Sequence, residues 1–160
     1  MKLIFTGRID NHKKIRERYP DALMISVMRK PWRYTPRDIT IMQDLGPPES
    51  LLNYVRSHLD WKGHALIDLQ AYYVSEFFKY LNDEAGAALG ELSELMIDHD
   101  KIILLCKEEP GEFCHRHLLR HYLVDDWDIL NGGEIILRSS ESAENISLTE
   151  KQSPGMIQND

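Results

Sequence analysis

Short apolar runs mark the strands of this chain. Residues 2–6, 22–28 and 101–106 are dominated by Ile, Leu, Val, Met or Phe, and the last run reads Ile-Ile-Leu-Leu-Cys after its first residue. Runs of this length without alternating polar positions are typical of strands that are buried on both faces of a sheet. The pattern predicts three such strands, with a turn at Thr6 and Gly7 after the first.

Apolar residues at helical spacing fill much of the chain between these runs. Tyr73, Phe77, Tyr80 and Leu81 recur at i, i+4, i+7 and i+8, which places them on one face of a helix. An aromatic stripe of this kind is more typical of core packing than of a ligand site. Similar patterns predict further helices over residues 11–19, 49–59, 85–96 and 113–124, and short strands over residues 64–68 and, after Gly132-Gly133, 134–138.

Helices separate the predicted strands almost throughout the chain. This alternation indicates an α/β fold of the Rossmann-like three-layer type, in which a mainly parallel sheet carries helices on both faces. Residues 1–138 are long enough to form this fold as a single domain. Residues 29–48 lose the periodicity and contain four prolines, which predicts a long connection. Residues 139–160 are polar, and we predict a disordered tail there.

The net charge of −7 conceals an uneven distribution. Residues 1–40 contain ten Lys or Arg and four Asp or Glu, whereas residues 41–160 contain nine and twenty-two. The cationic part favours an anionic ligand, although solvated helix and loop surfaces would give the same composition. No apolar run approaches the roughly 20 residues that span a bilayer, and two cysteines are too few for a disulfide framework. We therefore expect a cytoplasmic protein that does not bind membranes.

Candidate functional residues follow three of the predicted strands. The first strand ends at Thr6 and Gly7, the second leads to Arg29, and the third ends at Cys106. Ligands of open parallel sheets bind outside the carboxyl ends of the strands. If the three strands are neighbours, these residues line one crevice, in which Thr6, Gly7 and Arg29 are candidate anion ligands.

A helix that begins close to Cys114, His115 and Arg116 follows the third strand. The unpaired N–H groups at a helix N-terminus attract anions, and the guanidinium of Arg116 could add two parallel hydrogen bonds to a phosphate or carboxylate. The segment is therefore predicted to form an anion-binding turn on the same edge of the sheet.

The same segment contains candidate catalytic groups. Glu108 and His115 could transfer protons, and Cys114 is a candidate nucleophile because a thiol in the first turn of a helix tends towards a lowered pKa. Glu108 and its acidic neighbours oppose that tendency. Cys106, at the end of an apolar strand, is interpreted more simply as a small core residue.

A metal site is a weaker alternative. Cys114, His117 and His121 fall at i, i+3 and i+7 of the predicted helix, and Cys106 could be a fourth ligand, which would give a donor set that zinc accepts. The two cysteines lack the spacing of a CxxC pair, however, and exposed histidines often share a helix face. We therefore expect neither a metal nor a cofactor.

The order of these motifs resembles that of the DUF488 family. The resemblance is carried by the strand end Leu104-Leu105-Cys106-Lys107-Glu108, by Pro110 and by Cys114-His115-Arg116, with looser matches at Thr6-Gly7, Arg29-Lys30-Pro31 and Leu45-Gly46. It covers about residues 2–124; Val27 stands where the family often has an acidic residue. The resemblance implies an α/β fold, no particular reaction, and a shared site of Arg29, Cys106, Glu108, Cys114, His115 and Arg116.

Two functions are compatible with these residues. The leading hypothesis is an enzyme that acts on a phosphorylated ligand, either a nucleotide or a nucleic-acid base, with Arg29 and Arg116 holding the anion. The alternative is a non-catalytic module that senses a nucleotide or docks on a partner protein. In that module Glu108 and Arg116 would form a structural ion pair.

Overall fold

The computed structural model describes residues 1–58 and 65–137. In this part the strands are β1 (Leu3–Arg8), β2 (Leu23–Ser26), β3 (Thr40–Ile41), β4 (Lys101–Cys106) and β5 (Leu130–Glu134). The α-helices are α1 (His12–Arg18), α2 (Glu49–His58), α3 (Ala65–Asp83), α4 (Gly86–Leu95) and α5 (His115–Asp126), and short 3-10 helices lie at Ile9–Asn11 and Gln43–Leu45.

The strands form one parallel sheet in the order β3-β2-β4-β1-β5. β4 lies at the centre, between β2 and β1, and all of its residues except Lys101 are buried. A strand covered on both faces has no solvent side, which explains why its sequence is a continuous apolar run. The predicted α/β fold with a parallel sheet is confirmed.

Helices cover both faces of the sheet. On one face Ile102 of β4 joins a core that includes Phe77 of α3 and Leu119 of α5. On the other face Ile103 packs in a second core with Ile15 of α1. The predicted three-layer arrangement is therefore present, with α1 on one side and α3 and α5 on the other.

The strand predicted over residues 64–68 is wrong. Residues 65–68 begin α3, and His64 lies outside the described residues. A short apolar run is compatible with a strand or a buried helix. Here the helical spacing that continues through Tyr73, Phe77 and Leu81 decides the conformation, because all three side chains are buried in the core.

The last strand lies earlier in the chain than predicted. β5 is Leu130–Glu134 rather than residues 134–138, so Gly132 and Gly133 lie within it instead of before it. A Cβ atom at Gly132 would lie 2.5 Å from the ring of Phe5. The glycine is therefore needed for β5 to pack beside β1, and it does not mark a turn.

Two further details of the sheet differ from the prediction. β1 runs through Thr6 and Gly7 to Arg8, so the predicted turn is part of the strand. β3 was not predicted, because two residues are too few to give a periodic signal. The predicted tail over residues 139–160 lies outside the described residues. Within the described ranges, no helix is both long enough and apolar enough to cross a bilayer.

Gly46 lies where the connection after β2 approaches the backbone of that strand's end. A Cβ atom there would lie 2.7 Å from the Val27 carbonyl oxygen and 3.0 Å from the Arg29 nitrogen. Because backbone atoms cannot easily move aside, we expect Gly46→Ala to lower the free energy of unfolding by about 1–3 kcal/mol. Urea unfolding followed by circular dichroism measures the change.

Gly90→Ala in α4 is the matched control for this prediction. No atom lies within 4 Å of its Cβ position, and alanine stabilises a helix interior by about 0.5–1 kcal/mol relative to glycine. Equal stability of the two variants would contradict the steric explanation.

Candidate functional site

The carboxyl ends of β2 and β4 lie side by side. Ser26 is opposite Leu105 in the parallel register, and the Val27 N–H group donates a hydrogen bond of 3.1 Å to the Leu105 carbonyl. On the other side of β4, Arg8 of β1 is opposite Cys106. The three strands that were expected to converge are therefore neighbours.

A cavity of about 460 Å³ opens beside the ends of β2 and β4. Its reactive side chains are Cys106, Glu108, Cys114 and His115. Its apolar residues include Met28, Pro47, Leu52, Val55, Leu69, Tyr73 and Phe113, and its cations are Arg29, Lys30, Arg56 and Lys107. The structure thus brings together all three predicted catalytic residues and one predicted anion ligand, Arg29.

Glu108 joins the two cysteines. Its Oε2 atom lies 2.8 Å from the Sγ atom of Cys106 and 3.1 Å from the Sγ atom of Cys114. Two negative charges at 2.8 Å repel one another strongly, so the Glu108 carboxylate opposes ionisation of the Cys106 thiol. While the thiol holds its proton, it donates a hydrogen bond to this carboxylate.

His115 is oriented by the backbone at the end of β2. Its Nε2 atom lies 2.6 Å from the carbonyl oxygen of Val27. A carbonyl oxygen only accepts hydrogen bonds, so Nε2 carries a proton. The ring also lies close to both sulfur atoms, with Nε2 4.0 Å from Cys106 and Nδ1 3.9 Å from Cys114. The imidazole is therefore fixed in position against both thiols.

Cys106 is the more acidic of the two thiols. A hydrogen bond from Cys114 is the largest cause that lowers the pKa of Cys106, from 9.0 to about 6, and His115 adds to it against the opposing effects of burial and of Glu108. The same hydrogen bond raises the pKa of Cys114, as do burial and the nearby charges of Cys106 and Glu108. The two opposite pKa shifts favour Cys106 over the predicted Cys114 as the nucleophile.

The pKa of Glu108 is also shifted. Burial alone would raise this pKa, but hydrogen bonds from the two thiols outweigh burial and lower it. The effect on Cys106 is the opposite, because the Glu108 carboxylate raises the pKa of that thiol, although by less than Cys114 and His115 lower it. The lowered pKa keeps Glu108 ionised at neutral pH.

Arg116 is buried outside the cavity. None of its surface is exposed, and its Nη2 atom donates to Glu134 Oε1 at 2.9 Å. Its Nη1 atom lies 3.9 Å from Glu108 Oε2. Burial would lower its pKa, but the hydrogen bond and the negative charge of Glu134 raise it. Arg116 is thus an internal counter-ion to Glu134 and Glu108.

Thr6 and Gly7 also lie away from the cavity lining. The Thr6 hydroxyl donates to Glu134 and accepts a hydrogen bond of 2.9 Å from Arg120. A Cβ atom at Gly7 would point towards the side chain of Ile15. Both residues are near the site along β1, but the structure does not bring them to the same space as the thiols.

Arg29 lines the cavity, but its guanidinium is bound within the protein. Its Nε atom donates to the Pro47 carbonyl at 2.8 Å, and Nη1 pairs with Asp44 at 2.8 Å. Its Nη2 atom donates to the Gly46 carbonyl at 3.2 Å and to the Tyr80 hydroxyl at 3.1 Å. These bonds fix the connection between β2 and α2, so Arg29 has a structural role in this conformation.

Two exposed cations on the cavity were not predicted. Arg56 lies on α2 and Lys107 follows β4. Across residues 1–58 and 65–137, the side chain of neither residue forms a hydrogen bond or ion pair. Both lie within predicted segments, but no local signal shows that α2 packs across from the end of β4. Tyr73 was likewise interpreted as core alone, and it lies in both the core and the cavity.

The candidate metal ligands in the structure differ from those predicted from the sequence. Cys106, Cys114 and His115 place one donor atom each within 4.8 Å of one another, and these two sulfurs and a nitrogen could hold a zinc ion. His117 and His121 do not belong to this group. The interpretation of Cys114, His117 and His121 as one donor set is therefore wrong, because the ring of His117 lies 3.3 Å from Thr6 instead.

The fold and the site together define an α/β domain with a thiol, carboxylate and imidazole site at the carboxyl edge of its parallel sheet. The chain belongs to the DUF488 family: the family model DUF488-N3a, described as the active DUF488-N3 subclade, matches residues 8–126. This match confirms the resemblance that the Cys-x-Glu and Cys-His-Arg motifs indicated. Comparisons with curated proteins and with solved structures find no significant match.

Alkylation kinetics test the acidity of Cys106. Because its pKa is lowered to about 6, the thiolate forms as the pH rises through about 6 and is the main species at pH 7. We expect the rate of iodoacetamide labelling at Cys106, followed by peptide mass spectrometry, to show a midpoint near that pH. Cys114→Ala should move the midpoint upwards because the hydrogen bond to the thiolate is lost. A midpoint near 9 in both proteins would contradict the prediction.

A substitution of Arg116 tests its role as a counter-ion. Arg116→Met removes the fully buried guanidinium that pairs with the partly buried Glu134, and we expect the free energy of unfolding to fall by about 3–5 kcal/mol. Arg37→Met is the matched control, because Arg37 is exposed and such changes alter stability by about 0.5 kcal/mol or less. Chemical denaturation compares the two; similar stabilities would mean that Arg116 is not needed for the fold.

Proposed function

We propose that this protein is an enzyme that acts on a nucleotide or on a base of a nucleic acid, with Cys106 as the nucleophile and Glu108 as its base. The observation that carries the proposal is the 2.8 Å hydrogen bond between Cys106 Sγ and Glu108 Oε2 on the surface of the cavity. A nucleophile and a base within hydrogen-bond distance form the arrangement that covalent catalysis uses.

The hydrogen bond between Cys106 and Glu108 gives each residue a role. As the Cys106 sulfur forms a bond to an electrophilic carbon of the ligand, the bond from that carbon to its leaving group breaks. Glu108 accepts the proton of any Cys106 that is still a thiol and can return it to the leaving group. Cys114, whose pKa is raised, keeps its proton and shares it between Glu108, at 3.1 Å, and the neighbouring sulfur. His115, held by the Val27 carbonyl, keeps both sulfurs in position.

The remaining cavity residues suit an aromatic base that is joined to a phosphate. Tyr73 and Phe113 present rings whose centroids lie 5.3 Å apart in an edge arrangement, and bases stack on such rings. Arg56 and Lys107 add positive charge at the exposed part of the same cavity, where phosphate groups would be attracted. The cavity volume of about 460 Å³ lies within the usual range of about 300–1,000 Å³ for small-molecule sites.

The family description favours catalysis over binding alone. DUF488-N3a is described as an active subclade, which supports an enzyme. Both cysteines are free, and thiol chemistry of this kind suits the reducing setting of the cytoplasm, where we place the protein.

A non-catalytic nucleotide-sensing module is the second candidate. It is favoured by the ion pair of 3.9 Å between Arg116 and Glu108, because a carboxylate held for structure needs no reaction. In that case the cavity would bind the same ligands and leave them unchanged.

A double variant at the unpredicted cations tests ligand binding. We expect Arg56→Ala/Lys107→Ala to weaken the binding of nucleoside 5′-monophosphates or short single-stranded DNA and RNA about tenfold, or about 1.4 kcal/mol, in calorimetric titrations. Lys13→Ala/Lys14→Ala in α1 removes the same charge from a helix on the opposite face of the sheet and is the matched control. Equal weakening by both variants would mean that the cavity does not hold the anion.

A measurement of ligand turnover distinguishes the proposed enzyme from the proposed binding module. Wild-type protein is incubated with each bound nucleotide or oligonucleotide, and the ligand is analysed by chromatography while intact-mass spectrometry detects a covalent adduct. Cys106→Ser and Glu108→Gln should retain binding and lose product formation. Binding without conversion by the wild type would support the module and refute the enzyme; no binding at all would refute both.

A further inference from the structure

We propose that Cys106 and Cys114 are a modification site, at which a hydroperoxide oxidises Cys106 and Cys114 then closes an intramolecular disulfide. The inference rests on the arrangement of the two sulfur atoms and not on the proposed nucleotide ligand. It describes a second kind of chemistry for the same cavity, with a small oxidant as the reactant.

The geometry brings the two sulfurs together without a bond between them. Both lie on one carboxylate oxygen of Glu108, at 2.8 Å and 3.1 Å, and they belong to a group of donor atoms that all lie within 4.8 Å of one another. Both cysteines are free. A disulfide needs a separation of about 2.05 Å between its sulfur atoms, so a modest side-chain movement closes the gap.

Cys114 is the residue that can make this movement. Cys106 ends the central strand β4, which is held by neighbours on both sides. Cys114 lies between a loop and the first residue of α5, with an extended backbone at φ −149° and ψ 141°. The loop contains Gly111 at φ 85°, a conformation that glycine adopts at little cost. Rotation of the Cys114 side chain can therefore carry its sulfur towards Cys106.

The reaction proceeds in two balanced steps. The Cys106 thiolate attacks the O–O bond of the hydroperoxide, an S–O bond forms, and the distal oxygen leaves as an alkoxide or hydroxide that takes up a proton. The Cys114 sulfur then attacks the Cys106 sulfenic acid; the S–S bond forms, the S–O bond breaks, and the hydroxyl group leaves with the thiol proton as water. Two thiols are oxidised by two electrons, and one peroxide is reduced.

The two cysteines have different environments that assign these roles. The thiolate is the form that reacts with peroxide, and the pKa of Cys106 is lowered while that of Cys114 is raised. Both side chains are almost fully buried but line the cavity, so a reagent as small as hydrogen peroxide can reach them there. Where the proposed enzyme function also holds, the disulfide removes its nucleophile, and reduction restores it.

Peptide mapping of full-length protein treated with hydrogen peroxide tests the inference. Trypsin cleaves after Lys107 and Arg116, so the two cysteines fall in separate peptides. We expect the free thiols per chain to fall from two to none, the two peptides to become covalently linked within a monomeric chain, and dithiothreitol to reverse both changes. No nucleotide is needed, so the result is independent of the proposed function.

Two single variants separate the roles of the cysteines. Cys114→Ser should stop at the sulfenic acid, which dimedone captures at Cys106. Cys106→Ser should keep its one thiol under the same treatment. Circular dichroism checks that both variants are folded, and the linked wild-type peptides test the proposal even if a variant does not fold.

Several outcomes would overturn the inference. These are wild-type protein that retains both thiols, disulfides that form only between chains, and a Cys106 that proceeds to sulfinic acid without linkage to Cys114. Thiols that react only after a chelator is added would also overturn it, because a metal ion would then hold the two sulfurs.

Discussion

The backbone of Val27 holds the two halves of the site together. Its N–H group donates to Leu105 in β4 at 3.1 Å, and its carbonyl accepts from His115 at 2.6 Å. One peptide segment thus fixes both the strand end that carries Cys106 and the helix start that carries Cys114. The Val27 peptide is already held against β4, so it loses little further freedom when its carbonyl accepts the hydrogen bond from His115. The two sulfur atoms are thus brought close together without a covalent link.

The acidic groups of the cavity depend on a cation that does not enter it. A buried carboxylate and thiolate are costly unless a positive charge compensates them. Arg116 supplies that charge from within the protein, 3.9 Å from Glu108, and Glu134 balances it on the other side. The arginine of the Cys-His-Arg motif therefore acts here on the ionisation of the site, whereas the histidine and cysteine contact the reacting groups.

The parts of the structure that local patterns encode could be predicted from the sequence. β4 is a continuous apolar run because both of its faces are covered, and the parallel fold follows from the alternation of strands and helices. The presence of Arg56 on the same cavity as Lys107 could not be predicted, because it depends on how α2 packs. The same applies to the pairing of Arg116 with Glu134, which requires β5 to lie beside β1. A sequence does not show whether a guanidinium faces solvent or an internal acceptor.

Cys106 shows why one residue can belong to the core and to the site. Its side chain is 2% exposed, which agrees with the sequence interpretation, yet the same side chain lines the cavity. Any reagent must therefore reach its sulfur through the space that the proposed ligand would fill. A bound nucleotide would exclude peroxide from Cys106, and a disulfide would remove the nucleophile that the nucleotide meets. The two proposed reactions thus exclude one another at a single sulfur atom.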